Sequence, residues 1–223
     1  RYQTTIKYGE LETAKLAEAK VNLPARKQNA AAQILARAEN KFQLYGVAGM
    51  EIYGMLNDPN IPSTIAPISV NGNSTWATKV AADPNNAATL VFNDVNKLWQ
   101  QLTAQNGGHL DIDAPIVLGI SNKMIGYLTQ PNSFGKTAKA MLLENYPNME
   151  IVQLPELSTA AGEMLYMTVR ELYGDETGWS AFSMAYQLGR LVPHESSFTQ
   201  KASAGTWGCV IRRPSLVATL TGI

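Results

Sequence analysis

The 223-residue chain carries 18 basic and 18 acidic residues and no net charge, and charged residues make up only 16% of it, well below the usual ~25%. The lack of a concentrated basic face excludes phosphate-driven nucleic-acid recognition, a single cysteine (Cys209) excludes an intrachain disulfide, and no apolar run reaches the ~20 residues that span a bilayer. Sixteen Asn and eleven Gln stand in for the missing charges; burying amides that find partners costs less than burying ions, so such a surface suits contacts between copies of one chain, and a family-specific drift in composition accounts for it equally well.

In chain order, Tyr2–Tyr8 alternates in the manner of a strand. Glu10 to Lys20 places Leu11, Ala14, Leu16 and Ala19 at helical spacing. Pro24, behind Asn22 as a cap, opens a long helix in which Ala31, Ile34, Leu35, Ala38, Phe42 and Tyr45 recur at three- and four-residue steps. Gly46, Gly49 and Gly54 then punctuate a bend that ends in the turn Asn57-Asp-Pro59. A polar stretch from Pro62 to Pro84 reads as loop, with Asn71-Gly-Asn73 its clearest turn. Pro84 opens a second strong helix with a stripe of Ala88, Val91, Phe92, Val95, Leu98, Trp99 and Leu102, stopped by Asn106-Gly-Gly108. Ala114–Ile120 is a continuous apolar run, as in a strand covered on both faces. Short helices are expected over Asn122–Leu128 and Gly135–Tyr146, and strands over Glu150–Leu154, Met164–Val169 and Trp179–Ala185. From Ser196 the helical period is gone. Trp207, Cys209 and Ile211 share one strand face, and Leu216, Ala218 and Leu220 the next, with Pro214 at the break. The fold class is α+β, with a mixed helix–sheet unit in the middle.

Residue by residue, the chemistry candidates fall short of a site. Gly135-Lys136-Thr137 imitates the end of a phosphate-binding loop, but Gln130 stands where the first glycine belongs, and a plain helix start is the better reading. Ser121 follows a buried strand as a nucleophile elbow would, yet Lys123 occupies the second glycine position, so Ser121-Asn122 reads as a helix cap. His109 lies near Asp111 and Asp113, and His194 is remote from it in sequence; a solvated loop residue accounts for His109 better than a metal site or general base. Cys209 reads as a small core residue, Asn73-Ser-Thr75 as a chance glycosylation match, and Met141, Met149, Met164, Met167 and Met184 as filling of the middle unit's core. Hence no catalytic, cofactor-binding or metal-ligating residue is assigned, and neither a cofactor nor a small-molecule substrate is expected.

Following the long helix, Tyr53-Gly-Met-Leu-Asn57-Asp-Pro59-Asn-Ile61, together with the final Arg212-Arg213-Pro-Ser-Leu-Val-Ala-Thr-Leu-Thr-Gly222, resembles the tailed-bacteriophage major capsid proteins of the Hong Kong 97-like fold. The resemblance covers most of the chain, although most of that family's N-terminal arm and the outgoing half of its extended loop have no counterpart here. It implies that residues 1–9 are the returning strand of the extended loop. Residues 10–65 and 189–223 would form the peripheral domain, carrying the long spine helix, and residues 66–188 the axial domain. The implied function is a structural, non-enzymatic head subunit of a tailed phage or prophage. Its copies would meet as pentamers and hexamers in an icosahedral shell enclosing double-stranded DNA without sequence-specific binding or a membrane. It would be assembled in the bacterial host cytoplasm and end in the virion capsid. The alternatives are a same-fold nanocompartment shell, a phage tail or connector protein with a similar assembly-prone surface and, from another class, an α/β enzyme of hydrolase or transferase type suggested by the buried middle strand.

Overall fold

A computed structural model describes all 223 residues. Their order is β1 (Tyr2–Gly9), α1 (Glu10–Glu18), α2 (Leu23–Tyr45), α3 (Trp76–Ala82), α4 (Ala87–Gln105), β2 (Ile116–Ile120), α5 (Ile125–Leu128), α6 (Ala138–Asn145), β3 (Glu150–Gln153), β4 (Ser158–Thr159), β5 (Gly162–Val169), β6 (Glu171–Leu172), β7 (Asp175–Glu176), β8 (Gly178–His194), β9 (Ser197–Ile211) and β10 (Val217–Thr221). The chain divides into two units, the first made of Arg1–Asp58 with Trp179–Val210 and the second of Pro59–Gly178 with Ile211–Ile223.

In the first unit, α2 lies on a three-stranded sheet of order β1-β9-β8. Strands β1 and β9 run antiparallel from Tyr2 opposite Ala204 to Gly9 opposite Ser197. Asn22 accepts the Ala25 N–H through its side chain (3.2 Å) and Pro24 fills the first turn, so α2 starts where the cap and proline predict. Its 23 residues make a rod about 35 Å long. The unit's core is small: Ile6, Tyr8, Ala31, Leu35 and Ala202, with Tyr2 half-buried against it. The Tyr2 ring packs against Phe42 with centroids 5.1 Å apart. Burial, joined by the Glu39 carboxylate, pushes the Tyr2 phenol up to about 12. Ile34, expected in the stripe, is 56% exposed, while Leu44 is buried.

At the end of α2, the glycine-punctuated bend folds back onto the helix terminus. A helix leaves its last four carbonyls without partners, and here each finds one. Phe42 O accepts from Gly46 N (2.8 Å), Gln43 O from Met55 N (2.9 Å), Leu44 O from Leu56 N (2.9 Å) and Tyr45 O from the Asn57 side chain (2.6 Å). The other end of the Asn57 amide accepts the Gly54 N–H (2.7 Å). Gly54 lies so close to the helix that a Cβ there would meet the Leu44 carbonyl at 2.4 Å. On the far side of the bend, Gly208 interrupts β9 at φ +81°, and a Cβ there would be 2.9 Å from Tyr53 O. This kink breaks the expected alternation, leaving Trp207 61% exposed and Cys209 half-buried.

The second unit is built on a five-stranded sheet of order β10-β5-β2-β3, with β4 paired to β5. Only the β2–β3 pair is parallel; β5 runs antiparallel to both β2 and β10. Helix α4 buries Ala88, Val91, Val95, Leu98, Trp99 and Leu102 as its spacing predicts. These side chains join Leu118, Ile120, Leu165, Met167, Ala218 and Leu220 in a core of twenty-three buried residues, with Phe92 half-buried at its edge.

Several boundaries differ from the sequence expectation. Residues 211–223 belong with the second unit, since β10 pairs with β5 and Val217–Leu220 are buried in succession. Ile65 N also donates to Thr219 O (2.9 Å), so residues 59–65 fall in that unit as well, and the return crossing comes after Gly178 and not after residue 188. Strand β8 is far longer than Trp179–Ala185, and Met184 sits half-buried on it in the first unit, outside the middle core. The stretch read as loop from Pro62 to Pro84 has the expected turn, with Val70 bridged to Asn73, but it also holds α3.

That helix is anchored from inside. The fully buried Asp94 carboxylate of α4 accepts from Ile68 N (2.8 Å), Trp76 Nε1 (2.8 Å) and Lys79 Nζ (2.6 Å). The Lys79 ammonium is buried with it. One carboxylate thus ties the incoming loop, α3 and α4 together.

Three stability outcomes are expected. Gly54→Ala, which drives a methyl into backbone, costs about 3 kcal/mol or more, whereas Asn57→Ala costs about 1–2 kcal/mol for its two hydrogen bonds. Asp94→Ala, which strands a buried ammonium, costs about 3–5 kcal/mol. Denaturant unfolding of the purified variants measures all three.

Candidate functional site

The polar candidates are dispersed. Thr137 is the N-cap of α6, its hydroxyl accepting from Ala140 N (3.2 Å), and Lys136 Nζ pairs with Glu144 (2.7 Å); both belong to an ordinary helix start. His109 is exposed in the loop after α4, whereas His194, at the end of β8, meets the Thr199 hydroxyl at 3.0 Å. Burial, with a smaller contribution from Asp58, pushes the Cys209 thiol up, away from the thiolate a nucleophile requires. No group of three or more His, Cys, Asp or Glu residues is placed to hold a metal ion. No helix is long and apolar enough to cross a membrane.

One polar cluster does form. Ser121 is fully buried just after β2, and its hydroxyl accepts from Lys123 N at 3.4 Å; this is a turn contact and not the helix cap expected from sequence, because α5 begins only at Ile125, with Met124 at its N-cap and no side-chain cap bond. Beside it, Ser158 Oγ and Lys123 Nζ both donate to Glu163 Oε1 (2.7 and 3.0 Å), and Lys123 Nζ also donates to Ser158 (2.9 Å). Burial opposes the charge on Glu163, but the nearby Ser121 and Ser158 hydroxyls and the Lys123 ammonium outweigh it and hold the carboxyl below its ordinary value. The Ser158 hydroxyl is therefore engaged as a donor to a carboxylate, and the lysine beside it is committed to an ion pair. The cluster fastens β4, β5 and the lead-in to α5.

What the surface offers instead is apolar area, and sequence reasoning missed it. Strands β8 and β9 leave Phe182 (60%), Leu191 (50%), Tyr186, Leu188, Val192, Phe198 and Val210 exposed. Toward the Glu195-Ser196 turn they meet α1 and the start of α2 in a groove of about 610 Å³, lined by Tyr8, Ala14, Ala17, Pro24, Leu191 and Phe198. Helix α1 buries none of its own residues and leaves Leu11 exposed. Monomeric soluble proteins rarely expose contiguous apolar surface of this kind unless it binds something. In the second unit, Phe134 stands 89% exposed at a loop tip, and an open pocket of about 550 Å³ lies beside His109, Leu172, Tyr173, Arg213 and Leu216. The signal for the first patch was present in Phe182, Met184, Tyr186 and Leu188, which alternate over seven residues of sequence.

The sequence profile of the family described as "Pa193 gp26 major capsid protein" matches residues 1–222. The chain belongs to that family. No curated protein matches the chain. Among solved structures, it is similar to the capsid of Myoviridae phage XM1, with a TM-score of 0.78 at 14% identity over 100% of this chain and 72% of the other. A virus-like particle from Pyrococcus furiosus aligns at 0.60 and 16% identity, covering 98% and 76%. The satellite phage P4 procapsid aligns at 0.52 and 13% identity, covering 99% and 75%. The fold is accordingly the Hong Kong 97-like capsid fold, and the capsid subunit is a structural protein.

Because the Glu163 carboxyl lies below its unfolded value of 4.5, its contribution to stability is full above about pH 4.5 and is lost as pH falls through the folded value. Glu163→Gln is expected to lower the thermal midpoint of the capsid subunit at neutral pH. The gap from the unsubstituted protein closes as the buffer is taken below about pH 4.5.

Proposed function

We propose that this subunit builds the head of a tailed phage or prophage, closing with copies of itself as pentamers and hexamers into an icosahedral shell around double-stranded DNA. The observation that carries the reading is the exposed apolar surface of β8, β9 and the adjoining groove, on a unit whose packed core cluster has only five buried members. Such a surface is a poor end state for a monomer and a good one for a tile, because many moderate contacts add into a stable closed wall.

On this reading the first unit is the peripheral domain, α2 its spine helix and β1 the returning strand of the extended loop. The second unit is the axial domain. Zero net charge, with eight Lys/Arg against four Asp/Glu in residues 1–45 and no basic run elsewhere, favours an inner wall that holds DNA without gripping its sequence. Assembly is assigned to the bacterial host cytoplasm. No reaction, cofactor, membrane or small-molecule substrate is assigned.

Electron microscopy of the purified full-length protein is expected to show closed particles with five- and six-membered rings. Nuclease digestion of particles from the host should leave protected double-stranded DNA with no sequence enrichment. Protein cargo in place of DNA would move the reading to the same-fold nanocompartment, and a monodisperse monomer would end it. Leu191→Asp, which puts a carboxylate into the apolar groove, should keep the subunit's circular dichroism and raise the concentration needed for assembly at least about tenfold.

A further inference from the structure

Two features of the second unit complement each other chemically: an exposed aromatic side chain and a pocket lined in part by apolar and aromatic residues. The first is Phe134. Its ring is 89% exposed, yet the loop that carries it is held firmly. Asn132 Oδ1 accepts from both Phe134 N and Lys136 N (3.0 Å each), Asn132 N donates to Lys136 O (2.8 Å), and Pro131 bridges to Thr137. Ser133 anchors the loop to Asn85, just before α4, through its N–H (2.8 Å) and hydroxyl (3.2 Å). A large apolar side chain is thus presented to solvent on a preorganised loop, which minimises the ordering cost of docking.

The second feature is the pocket beside His109 and Tyr173. Its floor includes the buried Leu216, and Leu172 forms part of its wall. The walls are fixed as well. Arg213 donates to Leu172 O (2.9 Å) and to Asp175 (2.6 Å), and the Tyr173 hydroxyl reaches His109 O at 3.5 Å. Asn106, at the close of α4, lines the same pocket and bonds Ser215 O through its side chain (2.7 Å). Leucines and a tyrosine face suit a phenyl ring, which gains edge-to-face packing with Tyr173 and a cation–π contact with Arg213.

Projection and pocket lie at opposite ends of one rod. Phe134 is fastened at the N-terminal end of α4 and the pocket at its C-terminal end, and nineteen helical residues separate the two by about 28 Å. A ring of identical subunits requires this arrangement: two different, complementary patches, so that each copy gives one and receives the other. We infer that Phe134 of one copy seats in the His109–Tyr173–Arg213 pocket of the next, making a head-to-tail contact that closes the axial rings. The inference rests on the shell-forming reading above.

In a Cys209→Ser background, which removes the chain's one native thiol, particles carrying Phe134→Cys with His109→Cys are treated with a short bis-maleimide. The expected product is a ladder of covalent oligomers ending at five and six copies on a denaturing gel, with neither single variant giving one. In parallel, Phe134→Ala should leave the subunit's thermal unfolding unchanged and raise the concentration for ring assembly about tenfold or more. Particles that form normally but yield no ladder, a ladder from either single variant, or unaltered assembly of Phe134→Ala would each overturn the contact and leave the shell reading standing. Failure of the Cys209→Ser protein and of the unsubstituted protein to form any ring or shell would overturn both.

Discussion

The first unit depends on how the end of α2 is closed. A helix of this length brings an unpaired set of carbonyls to its terminus, where water or protein must satisfy them. Here the protein does so with its own next segment: main-chain N–H groups of Gly46, Met55 and Leu56 and the side chain of Asn57 take one carbonyl each. The exit direction of the chain follows from that geometry. The bend then becomes a surface on which the kink of β9 at Gly208 rests, with Ile52 and Tyr53 against it. The residues that make the Tyr53–Ile61 segment recognisable in a divergent family are therefore those that complete a long helix.

The two units divide the physical tasks differently. The second has a filled interior, a buried ion pair satisfied by three donors to Asp94, and helices on a sheet whose central strands are covered. It has what a self-sufficient domain requires. The first places much of its chain in two long strands over a small core, and many of the apolar side chains on those strands face outward. The low charge of the whole chain fits this division, since edges that are to be desolvated gain from having few ions to strip.

How much of this could be read beforehand depended on the range of the interaction involved. Helices α2 and α4 announced themselves because their periods repeat over five or more turns, and β2 because an unbroken apolar run of that length suits a covered strand. Helix α3 escaped notice: seven residues give too few repeats, and its anchor, Lys79 to Asp94, joins elements fifteen residues apart. The placement of β10 was hidden for a similar reason. Its pattern declares a buried strand, but local sequence does not name β5 as the partner. Strand β8 runs on past the expected end at Ala185 because pairing with β9 carries it through Gly189 and Arg190, where the alternation of Phe182, Met184, Tyr186 and Leu188 stops. The outward-facing side chains were the hardest to foresee, because Phe182 or Phe134 in a list of residues looks no different from a core phenylalanine until neighbours are known.

Strand β8 also forms one border of its sheet, and its seventeen residues leave a row of main-chain donors and acceptors along that border. An open border of this length accepts any extended segment that arrives, the wrong one as readily as the right one. Until another strand covers it, that border is a site of mispairing and aggregation. Pro193, near the tip of β8, has no N–H to offer a partner strand. The rest of the strand keeps its unpaired groups, so one side of the subunit stays a template for extended chain.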